Sequence, residues 1–459
     1  MSNNQIGAII ESGPQDWQIL QQDAAGAAHI SLSGRWSFEA PGMVQVRLVC
    51  EDTGAPVTRA LDWQPAETRA DGAWQITLVG VPAGGLYRLE TRFRPENQPA
   101  GEWSIRGDMR HFLGVGDLWV IAGQSNSAGY GRGPCYDPPE LGVHLLRNNE
   151  QWALATQPLN ESTDTRHPVN RETANPGHSP YLHFGRLLKQ ALNHPIGLIQ
   201  TALGGSALSA WNPLESKSAV LFHNMVHCVQ MAGGRVRGIL WYQGESDAND
   251  KDAPTYLQRF GEALGAWRSA LGDPDLPVIT VQLNRVTQAL APEEGWTMVR
   301  EAQRQAARRL KNVAVVPALD LPLSDLIHNS PAGNMLLAER MARAALGMVY
   351  GRPVDYRAPD LISARRLDDG RAVELAFEPV TSRMDTIDLS ARPFRVMDGG
   401  VEVAIARVIY PGDHTIRLEL AQPAAANAEV HGCYGLNPPT APMDMERFIP
   451  MLGFSARLT

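Results

Sequence analysis

The sequence predicts a central three-layer α/β unit with a parallel sheet, carried between N- and C-terminal β-sandwich-like units. Three observations lead there. Apolar runs without polar alternation recur through the middle of the chain, as in strands buried on both faces. Helical stretches separate those runs, the βα alternation of a layered α/β unit. Both ends instead show the two-residue alternation and Gly/Pro turns of antiparallel sheets. The pattern changes near two positions, which divides the chain into 1–110, 111–355 and 356–459.

In the first unit, Val44-Gln-Val-Arg-Leu-Val49, Trp74-Gln-Ile-Thr-Leu-Val79 and Leu86-Tyr-Arg-Leu-Glu-Thr-Arg92 read as half-buried strands. The middle unit carries five apolar strands: Leu118-Trp-Val-Ile-Ala122, Ile196-Gly-Leu-Ile-Gln200, Gly238-Ile-Leu-Trp-Tyr242, Pro277-Val-Ile-Thr-Val-Gln282 and Val313-Ala-Val-Val316. Helices are expected over 181–192, 254–271, 296–310 and 335–349. In the third of these, Trp296, Val299, Ala306 and Leu310 share an inward face, leaving Arg300, Arg304 and Arg308 for solvent. In the last unit, 373–378, 393–397, 401–407 and 414–420 return to strand periodicity, with turns at Asp398-Gly-Gly400 and Pro411-Gly-Asp413.

Composition excludes several classes. Hydrophobic residues at 44% and charged residues at 20% fit a globular chain rather than a disordered or fibrous one. With 41 Lys and Arg against 49 Asp and Glu, the net charge of −8 offers no basic surface for nucleic acid. No run reaches the roughly 18 apolar residues of a membrane span. The opening Met1-Ser-Asn-Asn-Gln-Ile-Gly7 lacks the basic and apolar regions of a signal peptide. Cys50, Cys135, Cys228 and Cys433 are dispersed, without metal-ligand spacing. A reduced, cytoplasmic protein without metal or cofactor is expected, while monomer and oligomer both stay open.

Chemistry gathers at the strand ends. Gly123-Gln-Ser-Asn-Ser-Ala-Gly129 follows the first apolar strand and places Ser125 where open α/β sheets bind ligands. A serine hydroxyl needs a base. His328 in Ser324-Asp-Leu-Ile-His-Asn329 follows the last strand, with Asp325 three residues before it to orient the imidazole. Oxyanion donors could come from Leu203-Gly-Gly-Ser-Ala207 or from the side-chain amide of Gln243 in Gln243-Gly-Glu-Ser-Asp247. Each segment alone also reads as an ordinary turn.

Together, Gly123-Gln-Ser-Asn126, Gly204-Gly205, Trp241-Tyr-Gln-Gly-Glu-Ser246 and Asp325-Leu-Ile-His328 resemble the motif blocks of SGNH hydrolases. The closer resemblance is to sialate O-acetylesterases and the acetylxylan esterases of carbohydrate esterase family 6. Ala210-Trp-Asn212, Leu221-Phe-His-Asn-Met225 and Val299-Arg-Glu-Ala-Gln303 extend it over most of 111–350. It implies a flavodoxin-like SGNH domain with Ser125 as nucleophile, His328 as base and Asp325 as its partner. It also implies the Ser125 amide, the Gly205 amide and the Gln243 side chain as oxyanion hole. Departures from the family pattern fall at Ala128-Gly-Tyr-Gly-Arg132, nearer the xylan-esterase version, and at Ser127 and Ser206, where Met and Thr are usual.

The implied activity is removal of O-acetyl groups from a carbohydrate through an acetyl-enzyme, with no cofactor. A general short-chain carboxylesterase and a catalytically silent carbohydrate-binding protein are the competing readings. A dinucleotide-dependent dehydrogenase ranks below both, because Gly129, Gly131 and Gly133 miss the GxGxxG spacing. Arg132, Trp211 and Glu245 are the candidate substrate contacts, each with a plainer reading as loop cation, core ring or loop brace. His223 and His227 stand one helical turn apart, but His-Asn-Met-Val-His lacks the glutamate of a zinc-protease helix, which favours helix packing over metal.

Overall fold

A computed structural model describes residues 6–96, 103–173, 176–289, 291–386, 388 and 392–459. The first five residues of the opening segment lie outside this set. The central sheet contains β1 (Ile105–Gly123), β2 (Val143–Leu146), β3 (Trp152–Leu154), β4 (Ile196–Gln200), β5 (Gly238–Tyr242), β6 (Val278–Gln282) and β7 (Val313–Pro317). Their order is β3-β2-β4-β1-β5-β6-β7. All neighbours run parallel except the β2–β3 hairpin, so the sheet is parallel with one antiparallel edge. Chain order reverses at β1, and the crevice at its carboxyl end is where such sheets place ligands.

Helices cover both faces, and the strand residues show why. Trp119 meets Phe184 of α2 (Tyr181–Leu192) edge to face at 5.3 Å. Trp241 lies in register with Ala122, three residues along β1 from Trp119 and therefore on the opposite face. It packs against Trp211 and against Phe260 and Trp267 of a helix over Tyr256–Ala270. Every residue of β4, β5, β6 and β7 is buried, as unbroken apolar runs require.

The flanking units are antiparallel. At the N-terminal end, strands Ala27–Ser37 and Ala73–Pro82 belong to one sheet and Gly42–Cys50 and Gly84–Pro95 to another; Ile30, Leu32, Val46, Leu48, Leu78 and Phe93 share a core between them. At the C-terminal end, Ala372–Glu378 and Thr415–Leu420 lie in one sheet and Phe394–Asp398 and Glu429–Gly432 in another, around Leu375, Phe377, Val396, Leu418 and Val430. The seam expected at residue 110 falls inside β1. Its first half pairs antiparallel with Gly84–Pro95, and its second half enters the parallel sheet.

One helix face differs from the expectation. In the helix Glu293–Arg309, Arg300 and Arg304 are buried rather than solvated. The C-terminal unit covers that face. All five N–H groups of Arg300 reach carbonyls: Leu283, Asn284, Cys433, Gly435 and Leu436. Arg304 pairs with Glu301 and, at 2.6 Å, with Asp360. A buried cation persists only when fully bonded, so these arginines act as staples between units. The last helix also begins earlier than expected, at Pro331. Ser330 caps it by accepting from the Gly333 amide, and a proline suits the first turn.

Candidate active site

β1 ends in a turn that only glycine can make. Gly123 has φ +124°, and a Cβ there would stand 2.1 Å from the Tyr242 carbonyl oxygen on the adjoining strand. One short helical turn, α1 (Ser125–Ala128), follows at once, with the Ser127 and Ala128 amides closing onto the Gln124 carbonyl. Ser125 is thereby held at the crevice.

The loop before Pro331 supplies its partners. His328 Nε2 lies 2.9 Å from Ser125 Oγ, and His328 Nδ1 lies 2.7 Å from Asp325 Oδ2. A carboxylate at Nδ1 takes that N–H, which leaves the Nε2 lone pair for the serine hydroxyl. Asp325 Oδ1 accepts from the Ile327 and His328 amides, so one side chain orients both ring and loop. Burial pushes the Asp325 carboxyl up, but the His328 hydrogen bond and the two amides outweigh it and hold it below the usual range.

Asn126 joins the two halves. Its amide donates to Glu245 Oε1 at 2.9 Å, and its carbonyl accepts from the Asn329 amide at 3.0 Å. Asn284 donates to the Ile327 carbonyl from the other side. In the sequence, the serine beside it carries the recognisable chemistry and nothing marks Asn126 as a donor.

The Leu203–Ser206 turn is tied to β1 by the Leu203 amide and the Ser206 hydroxyl, both donating to the Gly123 carbonyl. The Gly204 amide donates to Glu172 Oε1, and the Ser206 amide closes onto Leu203. Between them the Gly205 amide has no hydrogen-bond partner among the described residues; the residue has φ +68°, and a Cβ there would meet nothing within 4 Å. Glu172 also accepts from Tyr130 and Asn160, and the Tyr130 ring stands 5.0 Å from that of His328. Burial pushes the Glu172 carboxyl up even against the Gly204, Tyr130 and Asn160 donors. Tyr130 falls in the Ala128-Gly-Tyr-Gly-Arg132 stretch after the serine turn, where the sequence reading gives it no role, and Glu172, from a separate loop, carries no sequence signal.

Three expected site residues are placed otherwise. Gln243 is fully buried and its amide hydrogens go to Asp247 Oδ2 at 2.5 Å and the Ser206 carbonyl at 3.2 Å. Tyr256 donates to its carbonyl oxygen. Gln243 is therefore a brace under the Gly205 turn and not an open donor. Trp211 is buried in the core with its indole N–H on Ser206 Oγ, so it offers no face to a sugar. Glu245 is buried behind Asn126, and burial pushes its carboxyl up. Arg132 does reach the surface, its guanidinium 5.9 Å from the Tyr130 ring. The Ser127 and Ser206 departures face inward: Ser127 bonds the Ala122 carbonyl and Tyr181, and Ser206 bonds Trp211 and Gly123.

A serine, imidazole and carboxylate in hydrogen-bonded series on a parallel α/β sheet define a hydrolase of the serine-nucleophile type. The profile of the family described as "Carbohydrate esterase, sialic acid-specific acetylesterase" matches residues 115–347, half of the chain. A probable carbohydrate esterase of Arabidopsis thaliana is 31% identical over 254 residues, covering 50% of this chain and 90% of that protein. Mouse sialate O-acetylesterase is 22% identical over 428 residues, 75% of this chain and 74% of the relative. A carbohydrate acetylesterase from Xanthomonas citri has the same fold, with a TM-score of 0.69 at 22% identity over 97% of this chain and 99% of that one. The chain belongs to this family of carbohydrate esterases, and it is a carbohydrate O-acetylesterase.

Proposed function

We propose that Ser125, His328 and Asp325 remove acetyl groups from a sugar in two steps. His328 Nε2 takes the Ser125 proton as Oγ attacks the acetyl carbonyl, and the Ser125 and Gly205 amides receive the developing oxyanion. As the carbon–oxygen bond to the sugar breaks, His328 returns the proton to the leaving alkoxide. Water, deprotonated by the same ring, then attacks the acetyl-serine; as the bond to Oγ breaks and acetate leaves, His328 returns that proton to Ser125 Oγ. Asp325 keeps the ring oriented and stabilises the imidazolium. The observation that carries this reading is the unbroken series Ser125 Oγ, His328, Asp325 at 2.9 and 2.7 Å.

For the sugar, we propose an acetylated acidic monosaccharide of the sialate type ahead of a neutral xylo-oligosaccharide. Arg132 supports this: it stands at the rim one ring away from His328, across Tyr130, where a guanidinium can pair with a substrate carboxylate. Acetate release from O-acetylated sialic acid and acetylated xylo-oligosaccharides tests it. Arg132→Ala is expected to raise KM for the acidic sugar about tenfold or more, with the neutral substrate little changed. Equal effects on both would remove Arg132 from recognition. The flanking β units read as sandwich-type modules, supported by their two-sheet cores. We also propose a reducing, cytoplasmic location, from the dispersed spacing of the four cysteines.

A further inference from the structure

Three segments remote in sequence bring Glu150, His167 and His227 together beside the helix α3 (Val220–Met231). Glu150 sits in the turn between β2 and β3, His167 directly precedes the short turn Pro168–Asn170, and His227 lies within α3. One ligand atom from each falls within 4.8 Å of the others. His167 Nε2 is 2.7 Å from Glu150 Oε1, and His227 Nε2 is 3.7 Å from the same oxygen. The two imidazoles cross at 61° with centroids 5.0 Å apart.

An ordinary histidine–carboxylate pair does not account for this arrangement. His167 Nε2 is a buried nitrogen without an in-line hydrogen-bond partner, although the carboxylate oxygen is so near. Its ring is not oriented to donate to Glu150. The second histidine converges on the same oxygen, so that two imidazole nitrogens and one carboxylate oxygen lie within 4.8 Å of one another.

We propose that Glu150, His167 and His227 bind a transition-metal dication of the Zn²⁺ class as a structural site separate from the catalytic one. Two imidazoles and a carboxylate suit Zn²⁺, Co²⁺ or Ni²⁺, whereas Mg²⁺ and Ca²⁺ prefer all-oxygen shells. Donors about 2.0–2.2 Å from a tetrahedral zinc stand about 3.3–3.5 Å apart, and the observed separations of 2.7 and 3.7 Å lie on either side of that spacing. His227 is half exposed, so its ring can close onto the ion and solvent can complete the shell. Arg166 already holds Glu150 Oε2 at 3.3 Å, which leaves Oε1 as the single carboxylate ligand.

The site has a structural consequence. Asn148, two residues from Glu150, donates to Asn160, Asn160 donates to Glu172, and Glu172 accepts from the Gly204 amide. A metal at Glu150 fastens the outer end of this loop to α3 while its inner end supports the Gly205 turn. Helical spacing could not reveal the site, because His223 is not a member and the ligands come from three segments.

Zn²⁺ titration of tag-free, chelator-treated protein by calorimetry, with melting followed in parallel, tests the proposal. One Zn²⁺ per chain and a metal-dependent rise in Tm are expected. Co²⁺ should give the visible absorption of a low-symmetry nitrogen/oxygen site. The His167→Ala/His227→Ala double variant should lose at least about 100-fold in affinity, together with the Tm rise. Because replacing His167 can disturb folding, His227→Ala and Glu150→Gln alone should each weaken binding at least about tenfold, with metal-free melting near wild type. Ser125→Ala and His328→Ala should bind as wild type does. The proposal is overturned if wild type binds less than one ion, if the ligand variants bind as tightly, or if His328→Ala abolishes binding.

Discussion

In the proposed mechanism Ser125 is an ordinary hydroxyl made reactive by its neighbours, and each neighbour has a separable task. Asp325 has two: its Oδ2 fixes the imidazole, and its Oδ1 accepts the backbone amides of its own loop. Its carboxyl is held below the usual range by the His328 hydrogen bond and the two loop amides, against the opposing effect of burial. By sign, the stability it contributes is present above the unfolded carboxyl value and lost as pH falls through the folded one. Asp325→Asn should lower kcat about 10²–10⁴-fold with a small change in KM, because the amide misorients the ring while substrate contacts persist. A change confined to KM would mean that Asp325 acts on binding. At this scale the sequence was most legible where function compresses chemistry into a short motif, as in Gly123-Gln-Ser-Asn126 and Asp325-Leu-Ile-His328. It was least legible for side-chain direction. Gln243, Trp211 and Glu245 belong to motif segments, yet all three turn inward, and only the packed structure shows what they meet there.

At the scale of elements, the site is a set of strand-end loops braced from below. The loop after β5 holds the loop after β4: Gln243 donates to the Ser206 carbonyl, and Asp247 accepts from the Leu208 amide and pairs with Arg259. Burial pushes the Asp247 carboxyl up, against the Leu208, Gln243 and Arg259 contacts that favour its charge. Gln243→Ala leaves Asp247 short of a donor in a buried place, so it should cost at least about 2 kcal/mol of stability as well as lowering kcat. Urea unfolding beside steady-state kinetics checks this. A fall in kcat with unchanged stability would return Gln243 to the oxyanion hole. The helix over 181–192 was legible to the residue and the central strands nearly so, because burial on both faces writes a continuous apolar run. Arg300 and Arg304 were not, since an arginine on an amphipathic helix looks solvent-facing until a second unit covers it.

For the whole molecule, β1 joins the N-terminal sheets to the catalytic sheet as one strand, and His144 reinforces that junction. Its Nδ1 lies 2.6 Å from the Trp17 carbonyl, and its Nε2 accepts from the Gly142 amide. A second ring proton would meet the Gly142 N–H, and burial pushes the imidazole down to about 4. The native ring thus stays neutral while the unfolded one takes up a proton below about 6.5. Stability is therefore lost as pH falls between those values, by about 3 kcal/mol at most from this residue. Glu172 and Glu245 act in the opposite sense: with carboxyls pushed up by burial, they favour the native state at low pH and lose that contribution as pH rises through their folded values. The comparison that isolates His144 is with His144→Asn, whose acid-side loss of Tm should be shallower than that of wild type. Parallel slopes would remove His144 as the cause. The α/β character of the middle of the chain was legible from periodicity, whereas the shared strand was not, because a strand crossing two sheets looks locally like any other.

The central claim is that Ser125, activated by His328, carries the acetyl group. Acetate release from an acetylated sugar by Ser125→Ala, at a Tm matching wild type, tests it most directly. Loss of about 10⁴-fold or more in kcat is expected, with residual activity from substrate binding and the Gly205 turn alone. Activity within about tenfold of wild type would contradict the account, since no binding effect of one hydroxyl replaces a missing nucleophile.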